Sequence, residues 1–84
     1  MEAKVLKRGE NTDFPTHTIG TKTKVLIKNK SPKSEGEARV KVGWGPAETI
    51  NISPGHVAAI ERDWAGVMGN IFNMGKYELE VWVV

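Results

Sequence analysis

The chain contains no cysteine, and this absence excludes disulfide bonds, thiol nucleophiles and cysteine-ligated metal sites. No apolar run is long enough to span a membrane, and no signal-peptide core follows Met1. We therefore expect a soluble protein. The lack of cysteine is compatible with the reducing cytoplasm but does not determine the location.

The motifs that catalysis and cofactor binding require are also absent. The two histidines, His17 and His56, lack the spacing of a metal-binding pair. Residues 43–46 lack the length, the lysine and the following helix of a phosphate-binding loop. No serine lies in the Gly-x-Ser-x-Gly context of a hydrolase nucleophile. The sequence therefore predicts a protein that is not an enzyme and that has neither a cofactor nor a metal site.

Charge is plentiful but unevenly distributed along the 84 residues. Residues 1–42 carry ten basic and five acidic residues, a net charge of +5, whereas residues 43–84 carry two and five, a net charge of −3. Opposite charges on the two halves can pair strands within one molecule, guide the docking of two copies, or present a basic face to a partner.

Alternation of apolar and polar residues dominates the sequence and predicts β-strands. The segments that alternate most clearly are residues 21–29, 37–44, 48–53 and 76–84. By this alternation Trp44 and Tyr77 point into the core. Residues 1–20 are loop-rich and partly extended. We predict one all-β domain over residues 1–84, a small antiparallel β-sandwich or barrel of about six to seven short strands.

Residues 54–66 admit two interpretations. A short helix is possible, with Ser53 as its cap and Pro54 in its first turn. A strand over residues 56–62 followed by a turn is the alternative. The strand is favoured because the surrounding segments alternate with period two, and because the glycines that follow would weaken a helix.

Glu61, Arg62, Asp63 and Trp64 form the densest group of chemically functional side chains. On a strand, Glu61 and Asp63 would share a face and could hold a cation or divide acid and base roles. The alternative is the end of a hairpin, with both acids in solvent and Arg62 ion-paired or stacked on Trp64. No residue elsewhere completes an active site, so the hairpin end is favoured.

Basic residues recur on the outer faces of two consecutive predicted strands. The candidate residues of this basic face are Lys22, Lys24, Lys28, Lys30, Arg39 and Lys41. If the two strands pair, these side chains form a stripe that could follow a nucleic-acid backbone. The alternative is an edge strand that its lysines protect from pairing with other molecules. RNA-binding signatures are missing, so nucleic acid is the least favoured partner.

Two of the three tryptophans suggest carbohydrate binding. Trp64 lies at a predicted turn, and Trp82 lies on the polar face of the last strand beside Glu80. An exposed tryptophan flanked by charged groups can stack on a sugar ring while those groups bind its hydroxyls. Carbohydrate binding is the second hypothesis.

The last strand is apolar on both faces at its end. Val81, Trp82, Val83 and Val84 follow one another, and such a strand either lies between two layers or is covered by a partner. Small domains without disulfides often gain stability by association. The leading hypothesis is therefore a non-enzymatic assembly module that binds a protein, most simply a second copy of itself, through Trp82 and Val84.

Overall fold

The structure, a computed structural model, describes residues 1–84 and consists of eight β-strands joined by turns and loops. The strands are β1 (Lys4–Leu6), β2 (Asn11–Phe14), β3 (Thr23–Asn29), β4 (Gly36–Val42), β5 (Glu48–Ile52), β6 (Val57–Arg62), β7 (Gly69–Asn73) and β8 (Leu79–Val83). The all-β prediction is confirmed, with eight strands instead of six or seven. No helix in the structure has the length and apolar character needed to cross a membrane.

The sequence does not predict β2, which lies within the loop-rich residues 1–20 and is followed directly by Pro15. Its residues Thr12 and Phe14 are buried and their neighbours are exposed, so it has the ordinary period of a strand over four residues. The short helix considered for residues 54–66 is absent. Val57–Arg62 instead pairs with β3 along its whole length.

The strands form two four-stranded antiparallel sheets. Sheet A has the order β1-β8-β3-β6, and sheet B has the order β2-β7-β4-β5. Each early strand pairs with a late one: β1 with β8, β2 with β7, β3 with β6 and β4 with β5. The chain is therefore one long hairpin whose tip lies between β4 and β5. The hairpin is rolled up so that its successive strand pairs lie alternately in sheet A and sheet B. This is the arrangement of a jelly roll.

The core lies between the two sheets and follows from the alternation along each strand. β3 shows the pattern most fully, because Val25 and Ile27 are completely buried, Leu26 between them is half-buried, and the flanking Lys24 and Lys28 are exposed. The twelve apolar residues of the core are Leu6, Phe14, Val25, Ile27, Ala38, Val40, Ile52, Ile60, Ile71, Leu79, Val81 and Val83. Burial of this apolar surface is the main driving force for folding.

Two fully buried asparagines join the sheets at one end of the sandwich. Asn29 of sheet A donates from Nδ2 to the Ile52 carbonyl of sheet B, at 3.0 Å. Asn73 of sheet B donates from Nδ2 to the Leu6 carbonyl of sheet A, at 2.8 Å. Each amide also binds backbone groups of an adjacent loop. Both buried amides are therefore fully engaged, as burial of a polar group requires.

Candidate functional site

The segment from Glu61 to Trp64 is a structural connection between the sheets. β6 and β7 lie in different sheets, so the predicted hairpin end is wrong and the segment is a crossover. Asp63 lies beyond the end of β6. Its Oδ2 accepts from the Gly20 N–H at 2.8 Å, and its Oδ1 accepts from the Ala65 N–H at 3.0 Å. Asp63 therefore connects two loops and lies outside the strand that the alternative of a shared face with Glu61 requires.

The other side chains of this segment also have structural partners. Arg62 forms an ion pair with Glu48 at 3.3 Å, and its Nη1 donates to the Glu61 carbonyl. Trp64 is half-buried and packs edge-on against Phe14, with ring centroids 5.9 Å apart. A half-buried ring packed on the core leaves little surface for stacking on a ligand.

The basic residues are divided between the two faces of the molecule. β3 lies in sheet A and β4 in sheet B, so the strands do not pair. Lys24 and Lys28 project from the outer face of sheet A, whereas Arg39 and Lys41 project from the outer face of sheet B. The basic stripe that pairing of these strands would form is therefore absent.

Trp44 and Tyr77 have exposures different from those predicted. β4 ends at Val42 and the chain turns at Gly43, where φ is 55°. Trp44 consequently leaves the alternation and is fully exposed, with a relative accessibility of 102%, so its predicted place in the core is wrong. Tyr77, also predicted to point inward, is half exposed. Trp82 is half-buried on the outer face of sheet A.

The outer face of sheet A, called the A face below, is the most apolar outer surface of the sandwich. It consists of three rows of side chains that run across the strands in register: Val5, Glu80, Lys28 and Val57 in the first, Ala3, Trp82, Leu26 and Ala59 in the second, and Val84, Lys24 and Glu61 in the third. The middle row is apolar from one edge of the sheet to the other.

Exposure and charge define what the A face can do. Val5, Val57 and Val84 remain 43%, 48% and 62% exposed, and no other part of the chain covers them. Two pairs of opposite charges border the middle row, because Glu80 lies opposite Lys28 and Glu61 lies opposite Lys24. An apolar centre with a charged border is typical of an interaction surface.

The model of a family of unknown function, DUF8244, matches residues 5–84. The chain belongs to this family. The match begins within β1 and ends at Val84, just after β8, so the DUF8244 region includes both sheets of the jelly roll. No curated protein and no solved structure matches the chain.

Sequence reasoning named Trp82 and Val84 in this DUF8244 chain but missed the other apolar members of the A face. Leu26 carried a signal, because it is the one apolar residue among the lysines on the outer side of β3. Val5 and Ala59 carried none. Their place beside Leu26 and Trp82 depends on which strands are neighbours, and that order is a property of the rolled hairpin.

Proposed function

We propose that the protein is a non-enzymatic assembly module that forms a two-fold symmetric dimer through the A face. The apolar middle row, which crosses the sheet through Trp82 and Leu26, is the observation that carries this proposal. A second apolar sheet face can cover a row of this kind without burying unpaired polar groups, since two sheets pack face to face with their strands nearly aligned.

The charges of the A face are complementary to those of a second copy in one orientation. Consider a two-fold axis that runs parallel to the strands, between β8 and β3. It places Glu80 of one copy against Lys28 of the other, and Trp82 against Leu26. Both contacts occur twice, as symmetry requires. The axis also places Val5 of one copy against Val57 of the other, so that two valines are in contact at each edge of the apolar surface.

A two-fold axis perpendicular to the strands is disfavoured by the same register. It would exchange the first row with the third, so that Lys28 of one copy would meet Lys24 of the other, and this contact would also occur twice. Like charges in contact across an interface cost free energy and exclude the wrong arrangement. The register of charges therefore favours the axis parallel to the strands.

The size of the A face indicates how tight the dimer is. Four strands at a spacing of about 4.8 Å and five residues at about 3.4 Å each give a patch of about 19 by 17 Å. Such a patch is smaller than the roughly 800 Å² that each partner buries in a standard stable interface. We expect a weak dimer that dissociates in the micromolar concentration range.

Sedimentation velocity over a concentration series tests the proposal. The native chain is expected to shift from monomer to dimer as the concentration rises. Trp82→Glu is expected to raise the dissociation constant at least 30-fold, because loss of a central tryptophan costs about 2 kcal/mol or more. Trp44→Glu is the matched control and should leave association unchanged, since Trp44 lies outside the A face. A native chain that remains monomeric at millimolar concentration contradicts the proposal.

Charge exchange tests the orientation of the dimer. Lys28→Glu and Glu80→Lys should each weaken association, and the double exchange should restore it, because both cross-dimer pairs are then reformed. Urea unfolding of each variant separates association from stability, since the two residues are also neighbours within one sheet. Failure of the double exchange to restore association, with the variant folded, excludes the axis parallel to the strands.

A further inference from the structure

The outer face of sheet B, on the opposite side of the sandwich from the A face, contains a groove of about 510 Å³. Its lining includes four polar side chains: Asp13 of β2, Arg39 and Lys41 of β4, and Asn70 of β7. Three strands therefore contribute to one open site. None of the functional hypotheses drawn from the sequence combined these residues.

The acidic side of the groove is held in place by hydrogen bonds. Asn70 donates from Nδ2 to Asp13 Oδ1 and to Asn11 Oδ1, both at 2.9 Å. These two bonds use both amide hydrogens of Asn70 and fix which way its side chain is turned. Asn70 Oδ1 and Asp13 Oδ2 then remain as acceptors without a protein partner, and acceptors of this kind bind hydroxyl hydrogens.

The basic side of the groove has two cations without an acidic partner. The single ion pair of the molecule joins Arg62 and Glu48, so neither Arg39 nor Lys41 has a carboxylate within bridging distance. The Arg39 guanidinium lies 5.2 Å from the centroid of the Phe72 ring, and this cation–π contact orients it. Arg39 and Lys41 are two residues apart on one face of β4, about 7 Å along the strand. An oxyanion placed between them can bind both.

An exposed aromatic residue follows the groove lining in the sequence. Gly43 is part of the lining, and Trp44 follows it in the turn after β4 with its side chain fully in solvent. A large exposed indole without a packing partner is unusual in a domain of this size, and its flat face suits stacking on the C–H face of a sugar ring.

We propose that this groove binds an acidic carbohydrate, a glycan whose sugars carry carboxylate or sulfate groups. Arg39 and Lys41 bind the oxyanion, Asp13 and Asn70 accept hydrogen bonds from ring hydroxyls, and Trp44 stacks on an adjacent sugar. A nucleic acid fits less well, because a single exposed aromatic ring cannot stack on several successive bases. The proposal does not depend on dimer formation, since the groove and the A face lie on opposite sides.

Isothermal titration of the full chain with defined glycans tests the proposal. The probes are oligogalacturonate, its neutral methyl ester, dextran sulfate and a single-stranded oligonucleotide. We expect binding of oligogalacturonate or dextran sulfate, which distinguishes a carboxylate from a sulfate ligand, and no binding of the methyl ester. Binding should weaken as salt is raised, because the contacts are ionic and exposed.

Variants assign the contacts. Arg39→Ala and Lys41→Ala are each expected to weaken binding of the acidic glycan about tenfold or more, since each removes a charge-assisted hydrogen bond. Trp44→Ala should also weaken it. Lys33→Ala is the matched control, because Lys33 is exposed in a loop outside the groove lining and outside the A face, and it should bind as the native chain does. Circular dichroism checks that each variant is folded.

Three results would overturn the assignment. The first is the absence of binding to both acidic glycans at millimolar concentration. The second is binding of the oligonucleotide with equal or higher affinity, which would assign the groove to nucleic acid. The third is unchanged glycan binding in folded Lys41→Ala, which would place the binding site elsewhere on the surface.

Discussion

Replacement of Asn73 by alanine is expected to destabilise the fold more than any surface change. The Asn73 side chain is completely buried at the end of β7. Its Nδ2 donates to the carbonyls of Leu6 and Tyr77, both at 2.8 Å, and its Oδ1 accepts from the Gly75 N–H at 2.9 Å. The variant therefore leaves two carbonyl groups and one N–H group without their partner, and one of these bonds joins the two sheets.

The size of the effect follows from these three bonds. A buried group left without a partner costs about 1–3 kcal/mol, and a partly buried bond contributes about 0.5–1.5 kcal/mol. One bond is buried and two are partly buried, which gives a range of about 2–6 kcal/mol for the loss in the free energy of unfolding. We expect about 3 kcal/mol, in the lower part of this range, because water can reach the partly buried groups. A domain of this length has a total of roughly 4–13 kcal/mol, so the variant loses a large share. Its melting temperature should fall by about 12–24 °C.

Urea unfolding followed by tryptophan fluorescence measures the loss. With a slope of about 1 kcal/mol per molar urea, the midpoint of Asn73→Ala should fall by about 3 M. Asn51→Ala is the matched control, because Asn51 is exposed on β5, and it should change stability by less than about 0.5 kcal/mol. A decrease of less than about 1 kcal/mol in the free energy of unfolding of Asn73→Ala would refute the reasoning that the hydrogen bonds of this amide hold the two sheets together.

Three further changes should alter stability in ways that urea unfolding can measure. Gly69→Ala should cost about 1–3 kcal/mol through overpacking, because the added Cβ would lie 2.3 Å from the Phe14 ring; a native-like midpoint would show that the ring can move aside. Ala65→Gly should stabilise the fold by about 0.5–1 kcal/mol, since Ala65 has φ of 53°, where a Cβ is strained; a loss of stability would contradict this. Arg62→Ala should cost less than about 1 kcal/mol because its ion pair with Glu48 is exposed to solvent, and a larger loss would reveal a packing role for the arginine stem.

The class of the fold could be predicted from the sequence because alternation is a local signal. Residues 21–29 and 37–44 alternate strongly enough to identify β3 and β4 without reference to the rest of the chain. The strand β2 was missed because it has four residues and turn-forming neighbours. Its burial depends on pairing with β7, almost sixty residues later, and local patterns do not contain that pairing.

The candidate surfaces were less predictable because they depend on strand order. Arg39 and Lys24 lie on consecutive strands, and the natural expectation that consecutive strands pair put them on one face. The rolled hairpin places those strands in opposite sheets. Trp44 was assigned to the core by extending the alternation of β4 two residues too far. Gly43, which has a positive φ, ends the strand in a turn, and a side chain there would clash with Val67.

The pairing of β1 with β8 also determines how the domain responds to mechanical force. The two strands are antiparallel, and the Met1 amino group lies 3.4 Å from the Val83 carbonyl oxygen, so both ends of the chain emerge from the same end of this pair. A force that pulls Met1 away from Val84 would break the hydrogen bonds between β1 and β8 one after another, because each bond bears the force only after the one before it has broken. The molecule should therefore be mechanically soft when stretched through its own ends, whatever its thermodynamic stability.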